Sequence, residues 1–198
     1  MIREARRSDV EAIAQVMGAA FEDDPVTSWF WRDAARRRDY IAGWYELVLV
    51  EYYLEHGKVL VAEEDGEVAG CAIWSAPGKW RFPSRVELRT TRYALPRLGV
   101  RVPIASVGMR RIERAHPTEP HWYLSELGVR PPSQGRGIGS KLMYDVLRTC
   151  ETERLPAYLE SSTERSKKLY ERHGFVTKDV IRMPRGGPPL WLMFRPIS

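Results

Sequence analysis

The chain has 198 residues, of which 43% are hydrophobic and 29% charged, so its length and composition fit one globular domain with a continuous core. It contains no run of about 18 apolar residues that could span a membrane and no apolar signal-peptide segment behind its N-terminus, so we expect a cytoplasmic protein without a membrane partner. Its two cysteines, Cys71 and Cys150, are too few for a disulfide framework and are expected to be buried, reduced thiols. The net charge of +5 is compatible with an anionic ligand.

The first half of the chain predicts a strand, two amphipathic helices and a β-hairpin, in that order. Ser8 to Glu11 form a capping-box pattern ahead of a helix whose apolar residues continue to Phe21. Asp65-Gly66 is a hairpin turn signal between two strand-like runs. The expected bounds are residues 2–5 for the first strand, about 37–55 for the second helix, and 59–62 and 68–74 for the hairpin strands.

Residues 76–120 form the least regular part of the sequence. Six prolines are expected to break them into short helices and loops, a pattern typical of a binding loop or lid inside a compact domain. Ten Lys and Arg stand against three acids here, so the segment carries a net charge of +7. Either a solvated basic helix face or a contact with an anionic ligand accounts for that charge.

The second half of the chain predicts a strand–helix–strand unit followed by two further strands. A strand over Trp122 to Val129 leads through a glycine-rich turn into a helix from Ile138 to Cys150. A strand–helix–strand unit with short connections makes its two strands parallel, and the neighbouring hairpins make the sheet mixed. The remaining expected elements are a strand at residues 157–160, a short helix ending at His173-Gly174, and strands at residues 175–183 and 190–194.

The turn between that strand and helix holds three alternate glycines. Glycine permits positive φ and lets a ligand approach the main chain closely. The turn therefore presents free N–H groups at a helix N-terminus, where the helix dipole adds partial positive charge. The pattern predicts a pyrophosphate-binding cradle. Its residues are Gln134, Gly135, Arg136, Gly137, Ile138, Gly139 and Ser140.

Two other phosphate-binding motifs fail on spacing. The dinucleotide fingerprint requires a third glycine at the position that Ser140 occupies. The P-loop requires Gly-Lys followed by Ser or Thr, but Gly57-Lys58 precedes Val59 and Gly78-Lys79 precedes Trp80. Rossmann-type and Walker-type nucleotide sites are therefore not supported.

The pattern Gln134-x-x-Gly137-x-Gly139 resembles the hallmark motif of the GNAT superfamily of N-acetyltransferases. Leu127-Gly128-Val129 precede it, and Leu169 to Phe175, which resemble a second motif of that family, follow it. The resemblance implies an α/β fold with a central, twisted, mixed sheet of six to seven strands, flanked by helices and splayed between the fourth and fifth strands. It also implies that residues 1–198 form a single acetyltransferase domain, with 76–120 as a helical insertion over the acceptor site.

Residues His116 to Phe175 also resemble the puromycin N-acetyltransferase branch of the superfamily. The similar stretches are Glu119 to Leu124, Gln134 to Gly137, and Pro156 to Phe175. Outside this part of the chain, the agreement lies only in the order and length of the elements. The resemblance therefore points to a branch and leaves the acceptor substrate open.

The family resemblance implies acetyl-CoA as the cosubstrate and no metal. It assigns the pyrophosphate to the cradle, and the pantetheine arm to the backbone at Leu127, Gly128 and Val129, where a main-chain N–H also stabilises the thioester oxygen. Tyr170 occupies the family's general-acid position, and a phenol of pKa about 10 can protonate the thiolate of a thiol of pKa about 8.5. The alternative is a buried tyrosine that only packs the last helix.

The incoming amine must lose a proton, and two strand carboxylates are candidates for the base. Glu126 and Glu160 lie on the two strands that flank the acetyl group in the family. A carboxylate inside a strand is unusual unless it is paired, solvated or functional. A water relay without a dedicated base is the third possibility.

Thr163 departs from the family pattern, which commonly has Asn at the start of the last helix. Ser162 and Ser166 flank this position. A hydroxyl can donate or accept a hydrogen bond, but it lacks the paired geometry of an amide. Thr163 and Ser166 are therefore expected either to contact the pantetheine arm or to belong to a helix cap.

The aromatic residues around the expected site favour a small, flat or apolar amine as acceptor. Trp29, Trp31 and the segment 76–120 are expected to roof its pocket. A protein or peptide acceptor in an open groove is the second possibility. A non-catalytic coenzyme A-binding or nucleic-acid module is the third, and the Arg residues of 76–120 are not interleaved with the stacking aromatics that nucleic acid would require. The chain is expected to be a monomer or a homodimer.

His116 and His121 are expected to be loop histidines and not metal ligands. Their spacing of five suits neither a helix nor a strand, and no Cys or carboxylate pattern completes a site. His173 is expected to belong to the end of its helix.

Overall fold

A computed structural model describes residues 1–197 and shows a seven-stranded sheet with helices on both faces. The strand order is β1-β2-β3-β4-β5-β7-β6, and β4–β5 is the parallel pair in an otherwise antiparallel sheet. The strands are β1 Ile2–Glu4, β2 Gly57–Glu64, β3 Glu67–Ser75, β4 Trp122–Val129, β5 Ala157–Ser161, β6 Val176–Arg182 and β7 Pro189–Arg195. The expected mixed α/β architecture is confirmed.

Eight α-helical segments accompany the sheet in the described part of the chain. Their bounds are α1 Val10–Phe21, α2 Pro25–Phe30, α3 Arg37–Val48, α4 Leu54–His56, α5 Ser84–Leu98, α6 Val102–Ala115, α7 Ile138–Glu153 and α8 Glu164–Glu171. A π-helical stretch, Leu49–Tyr53, joins α3 to α4 without a break, so the predicted helix over residues 37–55 is present with an internal change of hydrogen-bond pattern. None of the helices in residues 1–197 has the length and apolar character needed to cross a bilayer.

The two parallel strands separate soon after they meet. Trp122 pairs with Ala157 and Tyr123 with Tyr158, and no later residue of β4 pairs with β5. The expected splay between the fourth and fifth strands is therefore confirmed. It leaves a wedge between the carboxyl-terminal parts of β4 and β5, bounded on one side by residues 124–129.

A β-bulge in β4 decides which side chains face each side of the sheet. Trp74 pairs with Leu124 and Ile73 with Glu126, so Ser125 is the extra residue. The bulge keeps Leu124 on the α7 side, where it belongs to the core under α7 and α8. Glu126 is left on the opposite face, with α1 and α3.

Apolar side chains pack on both faces of the sheet. One cluster lies under α7 and α8, and a second lies under α1 and α3. A small third cluster joins α2 to the loop between β6 and β7. The largest fully buried side chains are Trp74, Phe175, Leu142, Met143, Leu159 and Met193 in the first cluster, Ile13, Met17, Leu49, Ile73 and Val48 in the second, and Met183 in the third.

The β2–β3 hairpin follows its turn residues as predicted. Asp65 and Gly66 both adopt positive φ, 52° and 82°, which is the conformation of a two-residue hairpin turn. The Ser8 to Glu11 capping-box prediction is wrong. Asp9 Oδ2 instead accepts a hydrogen bond from the Arg6 amide at 2.6 Å, and a short 3₁₀ turn precedes α1.

The segment 76–120 is more regular than its prolines predict. It contains two helices, α5 of 15 residues and α6 of 14 residues. Pro83 precedes α5, Pro96 lies in its last turn and Pro103 lies in the first turn of α6. Proline is tolerated at a helix N-terminus because the first N–H groups have no partner within the helix. The prolines therefore mark helix ends, and the expectation of short broken helices is wrong.

Candidate functional site

The glycine-rich turn opens into α7 with an uncapped helix N-terminus. Gly135 and Gly137 adopt φ values of 80° and 78°, and a Cβ atom at either position would meet no heavy atom within 4 Å. Gly137 is the N-cap residue of α7, so no side chain caps the first turn. The N–H groups there are free to donate to an anion, and the dipole of this 16-residue helix favours negative charge. The geometry fits a pyrophosphate.

Two side chains of the turn are engaged with protein groups. Gln134 Nε2 donates to the Val129 carbonyl at 2.9 Å, and Gln134 Oε1 accepts from Arg165 Nη1 at 2.9 Å. Arg136 Nη1 lies 3.0 Å from Glu64 Oε1 in an ion pair. These contacts fix the shape of the turn and leave anion binding mainly to the main chain.

The remaining cradle residues join α7 to its neighbours. Ser140 Oγ lies 2.9 Å from His173 Nε2, which ties α7 to the end of α8. Ile138 is buried in the core cluster under α7. A Cβ at Gly139 would lie 3.3 Å from Leu169 Cδ2, so this glycine permits the close approach of α8.

The main chain of β4 has an open edge along the wedge. Leu127, Gly128 and Val129 lie beyond Tyr123, the last residue of β4 that pairs with β5. Gly128 needs its bare Cα, because a Cβ there would lie 2.5 Å from Met17 Sδ on α1. Unpaired main-chain groups of a strand can bind an extended ligand arm that carries amides.

Tyr170 lies in the last turn of α8 and is 7% exposed. Its ring packs against Phe175 with centroids 6.1 Å apart. Burial raises the pKa of the Tyr170 phenol well above 10, and the nearby carboxylates Glu126 and Asp24 raise it further. The hydroxyl therefore keeps its proton at neutral pH and is available as a donor.

Glu126 projects from β4 towards α3. Burial raises the pKa of its carboxyl group to about 8, the hydroxyl of Tyr45 opposes the rise, and Asp24 and Glu160 add to it. A carboxylate with that pKa exchanges its proton near neutral pH, which is the property of a general base or acid. The charge of Glu126 adds to the raised pKa of Tyr170, so the two side chains lie within electrostatic range of each other.

Asp24 is a member of this site that the sequence analysis did not identify. Its Oδ1 accepts from the Val26 and Thr27 amides, both at 2.9 Å, and so caps α2. Its Oδ2 accepts a short hydrogen bond from Ser162 Oγ in the turn between β5 and α8. The available signal was Asp24 before Pro25, an N-cap residue followed by proline at the first helical position.

Glu160 lies on β5, on the same face of the sheet as Glu126. Its Oε2 accepts from Tyr123 Oη at 2.7 Å, and its Oε1 lies 3.6 Å from His116 Nδ1. The Glu160 side chain is only 8% exposed, and Oε1 is buried without a hydrogen-bond partner. Both sequence candidates for the base are therefore near one another, but Glu160 is enclosed by a polar cluster of its own.

His116 and His121 lie in loops, as predicted, but they are buried and paired. Their Nε2 atoms are 3.1 Å apart, and His121 Nδ1 lies 2.7 Å from the Glu119 carbonyl oxygen. The indole of Trp80 stacks on the His116 ring with centroids 3.8 Å apart. Residues 1–197 contain no group of three or more His, Cys, Asp or Glu placed to hold a metal ion.

Thr163 caps α8. Its Oγ1 accepts from the Ser166 amide at 3.1 Å, and Ser166 Oγ lies 2.7 Å from Ser161 Oγ. Of the two roles left open by the sequence, the cap is therefore present, and both hydroxyls are engaged within the turn.

The tryptophans are distributed differently from the expected roof. Trp29 is buried in the third core cluster. Gly108 and Gly187 pack against its ring, where a Cβ would lie 3.0 Å and 2.6 Å from the nearest Trp29 atom, respectively. Trp31 packs against the core under α1 and α3. Trp80, at the start of the 76–120 segment, is the tryptophan that lies beside the Glu160 cluster.

Comparisons with known proteins agree on one family. The sequence model of the Acetyltransferase (GNAT) family matches residues 19–175. An uncharacterized N-acetyltransferase of Schizosaccharomyces pombe is 28% identical over 201 aligned residues, which cover 94% of this chain and 79% of that protein.

Two solved structures extend the agreement to the fold. One from Corynebacterium glutamicum, described as histone acetyltransferase HPA2 and related acetyltransferase, superposes with a TM-score of 0.75 at 25% identity and covers 100% of this chain and 96% of that one. An N-acetyltransferase from Staphylococcus aureus gives 0.67 at 20% identity, covering 98% and 99%. With an anion cradle at the start of α7 and a wedge between β4 and β5, the chain belongs to the GNAT family of acetyl-CoA-dependent N-acetyltransferases.

Proposed function

We propose that the protein transfers an acetyl group from acetyl-CoA directly to the amine of a small molecule. The observation that carries this proposal is the position of Glu126 and Tyr170. Glu126 lies on the part of β4 that no longer pairs with β5, and its charge adds to the raised pKa of the Tyr170 phenol. This proximity supports a base for the amine and an acid for the departing thiolate in one site.

The residues present fit acetyl-CoA. The uncapped first turn of α7 supplies donors for the pyrophosphate, and the open space above Gly135 and Gly137 lets phosphate oxygens approach the main chain. The unpaired edge at Leu127, Gly128 and Val129 suits the amides of the pantetheine arm. Thr163 and Ser166 are committed to the cap of α8, so we assign no contact with the cosubstrate to their side chains.

Glu126 is our candidate for the base and Tyr170 for the acid. The ammonium of the acceptor gives one proton to Glu126, the amine nitrogen forms a bond to the acetyl carbon, and the carbon–sulfur bond breaks. The Tyr170 hydroxyl protonates the departing thiolate, and the second proton that the nitrogen loses as it becomes an amide restores the Tyr170 hydroxyl. A pKa of about 8 makes Glu126 a stronger base than an ordinary carboxylate, and this supports its choice over Glu160.

The acceptor is proposed to be small because the segment 76–120 packs against α2 and α3, and α3 lies on the face of the sheet that carries Glu126. Tyr93 of α5 donates to the Tyr40 carbonyl of α3 at 2.9 Å, and Arg101 donates to the Trp29 carbonyl at 2.7 Å. These bonds hold the insertion against the body of the protein. The resemblance of residues 116–175 to puromycin N-acetyltransferase supports an aminonucleoside or a similar amine of that branch.

A protein or peptide acceptor is the second candidate function. The Corynebacterium glutamicum structure is described as a histone acetyltransferase and related acetyltransferase, and it has the same fold over the whole chain. A peptide needs a groove open at both ends, so α5 and α6 would have to leave the wedge accessible.

One experiment separates these possibilities. The protein is incubated with acetyl-CoA and a panel of aminonucleosides, arylamines, polyamines and peptides, and release of free thiol is followed. We expect the highest kcat/KM with a small aromatic amine. Faster turnover of a peptide would establish the second candidate. Tight binding of acetyl-CoA with no thiol release for any acceptor would reject the enzymatic proposal.

A further inference from the structure

A chain of polar groups that ends at Glu160 is separate from the proposed base, Glu126, and the proposed acid, Tyr170. Its members, which we call the histidine array, are the Glu119 carbonyl, His121, His116 and the Glu160 carboxylate. Three contacts connect them. The distances are 2.7 Å from the Glu119 oxygen to His121 Nδ1, 3.1 Å between the two Nε2 atoms, and 3.6 Å from His116 Nδ1 to Glu160 Oε1.

The number of hydrogens in the array follows from these contacts. A carbonyl oxygen only accepts, so His121 Nδ1 must carry a hydrogen. One hydrogen must lie between the two Nε2 atoms, so His116 donates there when His121 is neutral. His116 Nδ1 lies 3.6 Å from Glu160 Oε1, which is an ion-pair distance and too long for a hydrogen bond. A neutral His116 would turn a lone pair of Nδ1 towards the buried carboxylate, whereas an imidazolium turns an N–H towards it.

One additional proton in the array therefore compensates the carboxylate. Glu160 Oε1 and the Tyr158 hydroxyl are both buried without a hydrogen-bond partner, and a neutral hydroxyl beside this oxygen does not cancel its charge. The other oxygen, Oε2, already accepts from Tyr123. Burial lowers the pKa of His121, and His116 is the ring that faces the carboxylate.

The additional proton balances the charge of Glu160. Within residues 1–197, His116 is the only basic side chain that forms an ion pair with the Glu160 carboxylate. The other groups around the carboxylate carry no positive charge: Tyr123 and Glu126 of β4, Tyr158 of β5 and Tyr53 of the π-helical stretch. Without the proton, Glu160 would stand as an unpaired anion beside Glu126.

We propose that His116 and His121 are positioning residues that hold one additional proton against Glu160, which cancels its charge and so allows Glu126 to ionise. The proposal rests on the proposed function, because it takes Glu126 as the base. The amine proton passes to Glu126 and the array itself neither gains nor loses a proton in the reaction. Trp80 covers the array by stacking on His116, which keeps water from screening the charges.

The protonation state can be tested without any acceptor. Histidine ¹⁵N NMR at pH 7 on the free protein is expected to show one imidazolium shared by His116 and His121, and to lose it in Glu160→Gln. His56, a partly exposed histidine at the end of α4, serves as an internal comparison outside the array. Two neutral imidazoles in the unmodified protein would overturn the proposal, whatever the enzyme acetylates.

The effect on catalysis is tested by the pH dependence of kcat/KM in three variants. His116→Asn keeps an N–H that can donate to Glu160 but carries no charge. We expect its rate at pH 7 to fall on the order of tenfold and the rising limb of the profile, which Glu126 produces, to move to higher pH, because Glu160 is left as an uncompensated anion. Glu160→Gln is expected to leave the rising limb near its original pH, because the histidine array carries no net charge either before or after the substitution.

The double variant His116→Asn, Glu160→Gln is the decisive comparison. Removal of the uncompensated charge should return the rising limb to its original pH, so the second substitution rescues the first. If His116→Asn lowers kcat equally at every pH and does not shift the rising limb, the histidines have only a packing role and the proposal is rejected. Abolished turnover in Glu160→Gln would also reject it, because Glu160 would then be the base.

If instead Glu126→Gln leaves the pH profile unchanged while the imidazolium is present, the assignment of Glu126 as the base fails and the inference of a protonated array is retained. Circular dichroism, thermal unfolding and acetyl-CoA binding establish that each variant is folded, and His56→Asn is the matched histidine control.

Discussion

The hydroxyl of Ser162 donates a hydrogen bond to Asp24 Oδ2 across 138 residues of sequence. The bond joins the N-cap of α2 to the turn that begins α8, the helix that carries Tyr170. Asp24 thus does two things at once: it fixes a connection between distant segments and it places a negative charge near Glu126 and Tyr170.

Asp24→Asn should separate these two effects. The amide oxygen can still cap α2, but the charge of Asp24, which adds to the raised pKa of Glu126, is gone, so that pKa should fall and the rising limb of kcat/KM should move to lower pH. Ser162→Ala is the matched control, since it removes the hydrogen bond and keeps the charge. A shift of equal size in both variants would contradict the electrostatic interpretation.

Tyr170→Phe should lower kcat by about 10²-fold or more, with little change in the KM for acetyl-CoA. Phenylalanine keeps the packing against Phe175, so thermal stability should be nearly unchanged. Steady-state kinetics with a thiol-release assay measures both parameters. Tyr144→Phe, on the exposed face of α7, is the control for loss of a hydroxyl that lies outside the core. Unchanged turnover in Tyr170→Phe would leave Tyr170 with a packing role only.

Glu126→Gln should abolish the rise of kcat/KM with pH that a group of pKa about 8 produces. The same substitution has a consequence for stability. Because the folded-state pKa of Glu126 lies above the unfolded value of 4.5, the folded state binds more protons, and the free energy of unfolding falls as pH rises from about 4.5 to 8. Glutamine has no such dependence.

Urea unfolding at pH 5 and pH 9 tests this sign. The variant should gain stability relative to the unmodified protein at pH 9 and gain least at pH 5. A larger gain at the acidic pH would mean that the carboxylate is not the group with the raised pKa. Glu55→Gln, at an exposed position on α4, provides the baseline for removal of a surface carboxylate.

Gly137→Ala should weaken acetyl-CoA binding about tenfold and cost about 1 kcal/mol of folding stability, because an L residue is strained at its φ of 78°. Gly186→Ala, in the turn between β6 and β7, carries a similar strain at φ 70° in equally open space but lies outside the cradle. Calorimetric titration of both variants isolates the ligand contribution. Equal losses of affinity would indicate a general effect of strain on the fold.

Much of the fold was predictable because its signals are local. The hairpin at Asp65-Gly66 and the strand–helix–strand unit around the glycine turn follow from turn chemistry and hydrophobic periodicity. The short helix α2 was missed, since six residues are too few for a periodic signal. The length of α5 and α6 was also missed, because proline was read as a helix breaker where it marks helix ends.

The site was less predictable, because its pairs are distant in sequence. Glu126 and Glu160 were recognised as carboxylates out of place in strands, but nothing local shows that His116 faces one of them. The bulge at Ser125, which turns Glu126 towards α3, arises from pairing with β3 and leaves no mark in the sequence of β4 alone. Such contacts depend on tertiary register, which periodicity does not report.

The two residue pairs that join β4 to β5 make this the weakest junction of the sheet. In our proposal the pantetheine arm of acetyl-CoA lies along the open edge of β4, where a further strand would otherwise pair. A ligand that binds only the folded protein stabilises it against unfolding, by about 2.7 kcal/mol when its concentration is a hundred times the Kd. The melting temperature of the protein is therefore expected to rise with the concentration of acetyl-CoA.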